Sequence, residues 1–190
     1  MASDSEIAER LSRLIRAKTV SSRNPGEIDW PEFDRFIALL PELYPQAHRA
    51  LSRELVGDYS MLYRWKGRAE GEPLVLMAHY DVVAAPGEGW EEEPFGGAIA
   101  DTASGGKAVW GRGSLDTKVT LACIFEAVES LASGGFRPER DVYLSFGHNE
   151  EVMGGGTPGI VALLGARGIA PALVLDEGGA IVRGAFPGVK

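Results

Sequence analysis

The chain has 190 residues, with 19 Lys plus Arg against 27 Asp plus Glu and a net charge of −8, a balance that repels phosphates and argues against nucleic acid or anionic membrane as a partner. At 45% hydrophobic and 24% charged residues the composition is that of a globular domain and excludes a disordered tail. A single cysteine, Cys123, allows no intrachain disulfide and no Cys-x-x-Cys zinc clip, so a reducing, cytoplasmic setting is expected. Met1 to Arg10 carries Asp4, Glu6 and Glu9 where a secretory leader has basic residues and an apolar run, and no stretch of 18 apolar residues occurs, so neither leader nor membrane span is expected.

In chain order, Ser3 and Glu6 have capping-box spacing, and Ile7, Leu11, Leu14 and Ile15 recur at helical period, predicting an amphipathic helix to about Lys18. After a break at Ser21 to Ile28, Asp29 and Pro31 open a second helix whose stripe is Phe33, Phe36, Ile37 and Leu40, ending near Pro41 to Pro45. Leu55-Val56, Met61 to Trp65 and Leu74 to Ala78 read as strands, the last as the most core-like. Residues 84–106, rich in Gly and Pro, read as a long irregular connection of functional interest, in which Trp90 and Phe95 are candidates to line a pocket. Val109-Trp110 is a short strand, Thr117 to Ser133 a helix stopped by Gly134, Asp141 to Gly147 a strand, Ile160 to Arg167 a helix and Ala172 to Leu175 a strand. This alternation predicts an α/β fold: a mixed, largely parallel sheet sandwiched by helices. His48 is expected on a helix-loop surface, and Cys123 in the core.

Ligands of open α/β sheets bind beyond the carboxyl ends of the strands. His79-Tyr80-Asp81, His148-Asn149-Glu150-Glu151 and Asp176-Glu177 each follow an apolar strand, and Asp116 lies between Trp110 and the Thr117 helix. Carboxylates gathered at one edge repel one another unless a cation holds them, and imidazole with carboxylate suits zinc or a similar divalent metal. Strand period two places His79 and Asp81 on one face, where Asp81 can accept the hydrogen bond of the ring nitrogen that His79 does not give to a metal. Ser114 lacks a Gly-x-Ser-x-Gly elbow, which argues against a serine hydrolase.

Four ordered motifs carry a resemblance: Met77-Ala78-His79-Tyr80-Asp81-Val82-Val83, Trp110-Gly111-Arg112-Gly113-Ser114-Leu115-Asp116-Thr117-Lys118, Phe146-Gly147-His148-Asn149-Glu150-Glu151 and Leu175-Asp176-Glu177-Gly178-Gly179. Together they resemble the two-zinc metallopeptidases that include carboxypeptidase S, glutamate carboxypeptidase and the aminoacylases, over about Glu6 to the last residue and nearest the carboxypeptidase S branch. The resemblance implies a zinc-exopeptidase-like catalytic domain that hydrolyses a peptide or N-acyl amide bond beside a free carboxylate, with a small peptide or N-acyl amino acid as substrate. It implies His79 as ligand of one zinc, Asp116 as bridge, Asp176 completing the first zinc and Glu151 binding the second. Glu150 is then the general base and Asp81 the catalytic partner of His79; cobalt or manganese are alternative ions. Thr117 stands where relatives often have Asp, at a peptide that is often cis, and Asn149 where Asp is common.

Relatives also draw a zinc-binding histidine from a C-terminal segment and carry an inserted lid domain used for dimerisation. These 190 residues contain neither. The whole chain, 1–190, is therefore read as the N-terminal portion of an incomplete catalytic domain, weak or inactive alone, with two zincs in the complete site, one or none here, and dimerisation only in a full-length parent. The alternatives are a non-catalytic metal-binding or regulatory module of the same fold, an N-acyl amino acid deacylase, and, remotely, a dinucleotide-binding domain on the strength of Gly154-x-Gly156-x-x-Gly159. Against the last, His148 to Glu151 separate the strand from the glycines, whereas a dinucleotide turn begins at the strand end.

Overall fold

The computed structural model describes residues 2–103 and 105–178. Helix α1 spans Asp4–Ile15 and opens with the expected capping box: the Ser3 hydroxyl accepts from the Glu6 amide and the Glu6 carboxylate accepts from the Ser3 amide. Helix α2, Trp30–Leu43, buries Phe33, Phe36, Ile37 and Leu40 and carries Pro41 inside it. Pro45 does not end helical structure as the sequence suggested; it starts a further short helix, α3, Pro45–Ala50, because proline is well tolerated in a first turn. Strands β1 (Leu51–Val56) and β2 (Ser60–Trp65) form a hairpin whose turn holds Gly57 at φ 59° and Asp58 at φ 70°.

Strand β3 is Leu74–His79. The connection after it is not wholly irregular: β4 (Ile99–Asp101) and β5 (Lys107–Val109) form a small antiparallel pair apart from the main sheet. Helix α4 (Lys118–Ser133), β6 (Val142–Gly147), α5 (Gly156–Ala166) and β7 (Leu173–Leu175) complete the described chain. Helix α5 starts four residues before the Ile160 expected from its apolar pattern, in the glycine stretch itself.

The sheet order is β1-β2-β6-β3-β7, antiparallel through β1, β2 and β6 and parallel through β6, β3 and β7. Period two divides the side chains between two cores. Met61, Tyr63, Trp65, Leu144 and Phe146 pack with α1 to α4, while Leu62, Val75 and Tyr143 pack with Ile160 and Leu164 of α5. Two residue placements differ from expectation. Cys123 is exposed, because the buried stripe of α4 runs through Leu121, Ala122, Phe125 and Val128 and leaves it on the outer side. His48 is half-buried, its ring stacked on Phe125 at 5.4 Å with contacts to the Tyr44 carbonyl and the Tyr63 hydroxyl. Among the described residues strand β7 pairs only with β3, and its apolar residues are exposed.

The parallel pairing decides where the strand ends meet. His79 lies opposite Gly147 and Leu76 opposite Leu175, so β3, β6 and β7 all deliver their C-terminal residues to one edge.

Candidate metal centre

His79 ends β3 and its side chain is 2% exposed. Its Nδ1 lies 2.9 Å from the main-chain oxygen of Asp81 and 3.3 Å from that residue's carboxylate, so the main chain is the nearer partner of this nitrogen. Nε2 faces three carboxylates: Asp116 at 3.0 Å, Glu177 at 3.2 Å and Glu150 at 3.7 Å. Burial works against the charged ring, but the hydrogen bonds and charge of Asp81 together with the charge of Glu177 outweigh it and raise His79 to about 9.

Asp81 is fully buried and has a second task. Its two oxygens accept the main-chain N–H of Glu150 at 3.0 Å and of Glu151 at 3.2 Å, pinning the loop after β6 to the end of β3. Burial alone would raise its carboxyl; the neighbouring His79 ring and the bond from the Glu150 amide overcome this and lower it. The same loop is braced from behind, where Ser60 Oγ and His148 Nδ1 lie 2.7 Å apart and Asn149 Oδ1 accepts the Gly156 amide at 3.0 Å. A Cβ on Gly156 would overlap Ser60, Asn149 and His148, so this glycine serves close packing within the loop. Strand β6 ends at Gly147, eight residues before Gly155, which leaves the dinucleotide reading without its strand-to-glycine turn.

Asp116 sits on the loop between β5 and α4, its side chain 67% exposed, and the Asp116–Thr117 peptide is cis. Glu150, 53% exposed, projects toward the same space, and Glu151 is partly buried. The Glu151 and Glu177 carboxyls are both raised, first by burial and then by the like charge of Asp116 among others. The Asp176 carboxylate is exposed and accepts the amide of Glu177 at 2.9 Å. Among the described residues the donor atoms of His79, Asp116 and Glu177 lie within 4.8 Å of one another. Sequence reasoning singled out Asp176 and passed over Glu177. The available signal was that two adjacent acids at a strand end point to opposite sides, so either can turn inward.

One imidazole nitrogen with several carboxylate oxygens, two of the carboxyls raised by burial and then by like charge, is a donor set that a divalent cation fits. Beside it lies a cleft of about 390 Å³ whose lining pairs His79, Glu150, Asp176 and Glu177 with apolar Met77, Ala78, Met153 and Pro158. Met153, at φ 55°, and Leu115, next to Asp116, are 84% and 86% exposed. A larger cleft, about 840 Å³, includes Pro73 and Asp141 just before β3 and β6, at the opposite edge of the sheet; there Arg64 pairs with Asp141 and Arg167 with Glu54. Trp90 and Phe95 lie under cations, Arg112 and Lys18. No helix among the described residues is long and apolar enough to cross a membrane.

Residues 75–187 match the family model described as Peptidase family M20/M25/M40. The chain is 38% identical over 195 residues to "Probable carboxypeptidase S-like 2" of Dictyostelium discoideum, covering 99% of this chain and 37% of that protein. It is 38% identical over 186 residues to "N-fatty-acyl-amino acid synthase/hydrolase PM20D1" of Bos taurus, covering 96% of this chain and 36% of that protein. Human carnosine dipeptidase 1 shares the fold, with a TM-score of 0.74 at 16% identity over 93% of this chain and 39% of that one. The chain thus spans little more than a third of the length of these curated relatives.

Proposed function

The chain belongs to peptidase family M20/M25/M40, and from this we propose that it is the N-terminal portion of a catalytic domain for zinc-dependent hydrolysis of a peptide or N-acyl amide bond beside a free carboxylate. The observation that carries the proposal is the convergence of Asp116, Glu177 and Glu150 on one nitrogen of His79. In this reading His79, Asp116, Glu151 and one of Asp176 and Glu177 hold the metal, zinc in the first instance and cobalt or manganese as substitutes. Bound divalent metal lowers the pKa of water and polarises a carbonyl.

The chain's own groups do the rest. Asp81 fixes the two amides beneath Glu150 and Glu151, so these neighbours present different side chains to different tasks. Glu150, unburied and within reach of the His79 nitrogen, takes the proton of the attacking water and returns it to the leaving amine. Met77, Met153 and Pro158 form an apolar wall beside these acids, which supports an acyl chain or apolar side chain as the adjoining part of the substrate. The name of the cattle relative favours an N-acyl amino acid within this class. A cytoplasmic setting rests on Cys123 alone and belongs to the proposal.

Turnover of an N-acyl amino acid by the zinc-loaded chain is expected to be slow, below the usual 1–10³ s⁻¹ or so. Glu150→Gln should lower it a further ~10²- to 10⁴-fold at unchanged metal content. Equal turnover in the variant would remove Glu150 from the role of base. Asp176→Asn and Glu177→Gln separate the adjacent acids: the variant that loses metal by elemental analysis identifies the ligand, and full metal in both excludes the pair.

A further inference from the structure

The terminal amine of Lys118 lies where the segments bearing the metal-site residues meet. Lys118 is the first residue of α4, two after Asp116, and is completely buried. Its Nζ donates to the carbonyls of Leu14 at 3.2 Å and Ala17 at 2.6 Å, at the end of α1, and lies 5.2 Å from the centroid of the Phe36 ring. Immediately beyond Ala17 the chain pairs with the segment that follows β3. The Val82 amide donates to the Thr19 carbonyl at 2.9 Å, the Ser21 amide to the Val82 carbonyl at 3.1 Å, and the Thr19 hydroxyl to the Tyr80 carbonyl at 2.5 Å. These bonds flank Asp81 on both sides. The Lys118 stem in turn runs beneath the Asp116 loop: a Cβ on Gly113, whose φ is 85°, would come 3.1 Å from Lys118 Cδ and 2.9 Å from Val82 Cγ1.

One side chain therefore links the Asp116 loop to residues 14–21, and those residues hold the His79–Asp81 segment. A methionine would fill similar space without the cost of burying an ammonium. What the terminal amine adds is a directed tie to two carbonyls. We propose that Lys118 is a positioning residue for the metal site, holding Asp116 in its 3.0 Å approach to His79. The consequence for metal affinity rests on the function proposed above; the effect on the His79–Asp116 contact does not.

The test uses the whole chain and two readouts, the ring ¹⁵N signals of His79 in metal-free protein and a zinc titration. In Lys118→Met the His79 Nε2 signal should move toward its position in Asp116→Asn, and zinc affinity should fall by about 10- to 100-fold, as for other groups that orient ligands. In an Asp116→Asn background the same substitution should change zinc affinity no further. Lys118→Gln, which keeps a neutral N–H donor, should recover part of both signals and serves as the deciding variant if Lys118→Met does not fold. A wild-type His79 signal in a folded variant overturns the proposal, as does an equal loss of zinc affinity with and without Asp116. If the wild type takes up no zinc, the metal reading fails, and the ring signal still decides the role of Lys118.

Discussion

Asp81→Asn should weaken zinc binding by about 10- to 100-fold and destabilise the metal-free fold by roughly 3 kcal/mol, the low end for breaking a buried charge pair. Asp81 spends both oxygens on the amides of Glu150 and Glu151 while its charge faces His79, and it is fully buried. Asparagine keeps one acceptor and replaces the other with an NH₂ group aimed at a backbone N–H, leaving an unpaired donor pair in a dry site. The loop that carries the proposed base and a proposed ligand would lose its tie to β3. Zinc titration and urea denaturation of the two proteins measure the two effects. An affinity within about threefold of wild type, far short of the usual loss for a ligand-orienting group, would show that Asp81 does not organise the site.

Zinc affinity should also rise about 50-fold between pH 7 and pH 9, because a ligand imidazole must be neutral and the neutral fraction of His79 grows from about 1% to about half as pH reaches about 9. The metal-free chain should show the opposite trend in stability. The folded value lies above the ordinary 6.5, so the stabilisation contributed by the charged ring is complete below 6.5 and is lost as pH rises through 9. Thermal unfolding with a chelator should therefore shift downward from pH 6.5 to 9, while the zinc-saturated chain, whose imidazole is neutral when folded and nearly so when unfolded, should stay almost constant over the same range. Parallel behaviour of the two forms would mean that His79 neither gathers the carboxylates nor binds the metal.

The site edge was legible because it follows from topology: three apolar runs each followed by His or acid can converge only if their strands are parallel neighbours, and β6, β3 and β7 are. The strand-end position of His79 came from the same rule; its pairing with Asp81 came out differently, since β3 ends at His79 and the main-chain oxygen of Asp81 lies nearer Nδ1 than the carboxylate that strand period two singled out. Glu177 was missed because a three-residue edge strand does not fix which of two following acids turns inward. The β4–β5 pair escaped because its strands are three residues each, too short for an alternation to show among glycines. His48 and Cys123 depended on which side of a helix meets a neighbour: His48 stacks on Phe125 across α3 and α4, while Cys123 turns away from the same core. Lys118 gave no sequence signal at all, since a lysine in a helix's first turn ordinarily reads as a solvated cation.

The most direct test of the account is zinc content per chain by elemental analysis after dialysis, on the wild type, His79→Ala and Asp116→Ala. Near-stoichiometric zinc is expected in the wild type and its loss in both variants, one equivalent marking a half-built centre and two a second ligand set within these residues. A wild type without zinc, or variants that retain it, would contradict the assignment of this strand edge as a metal centre.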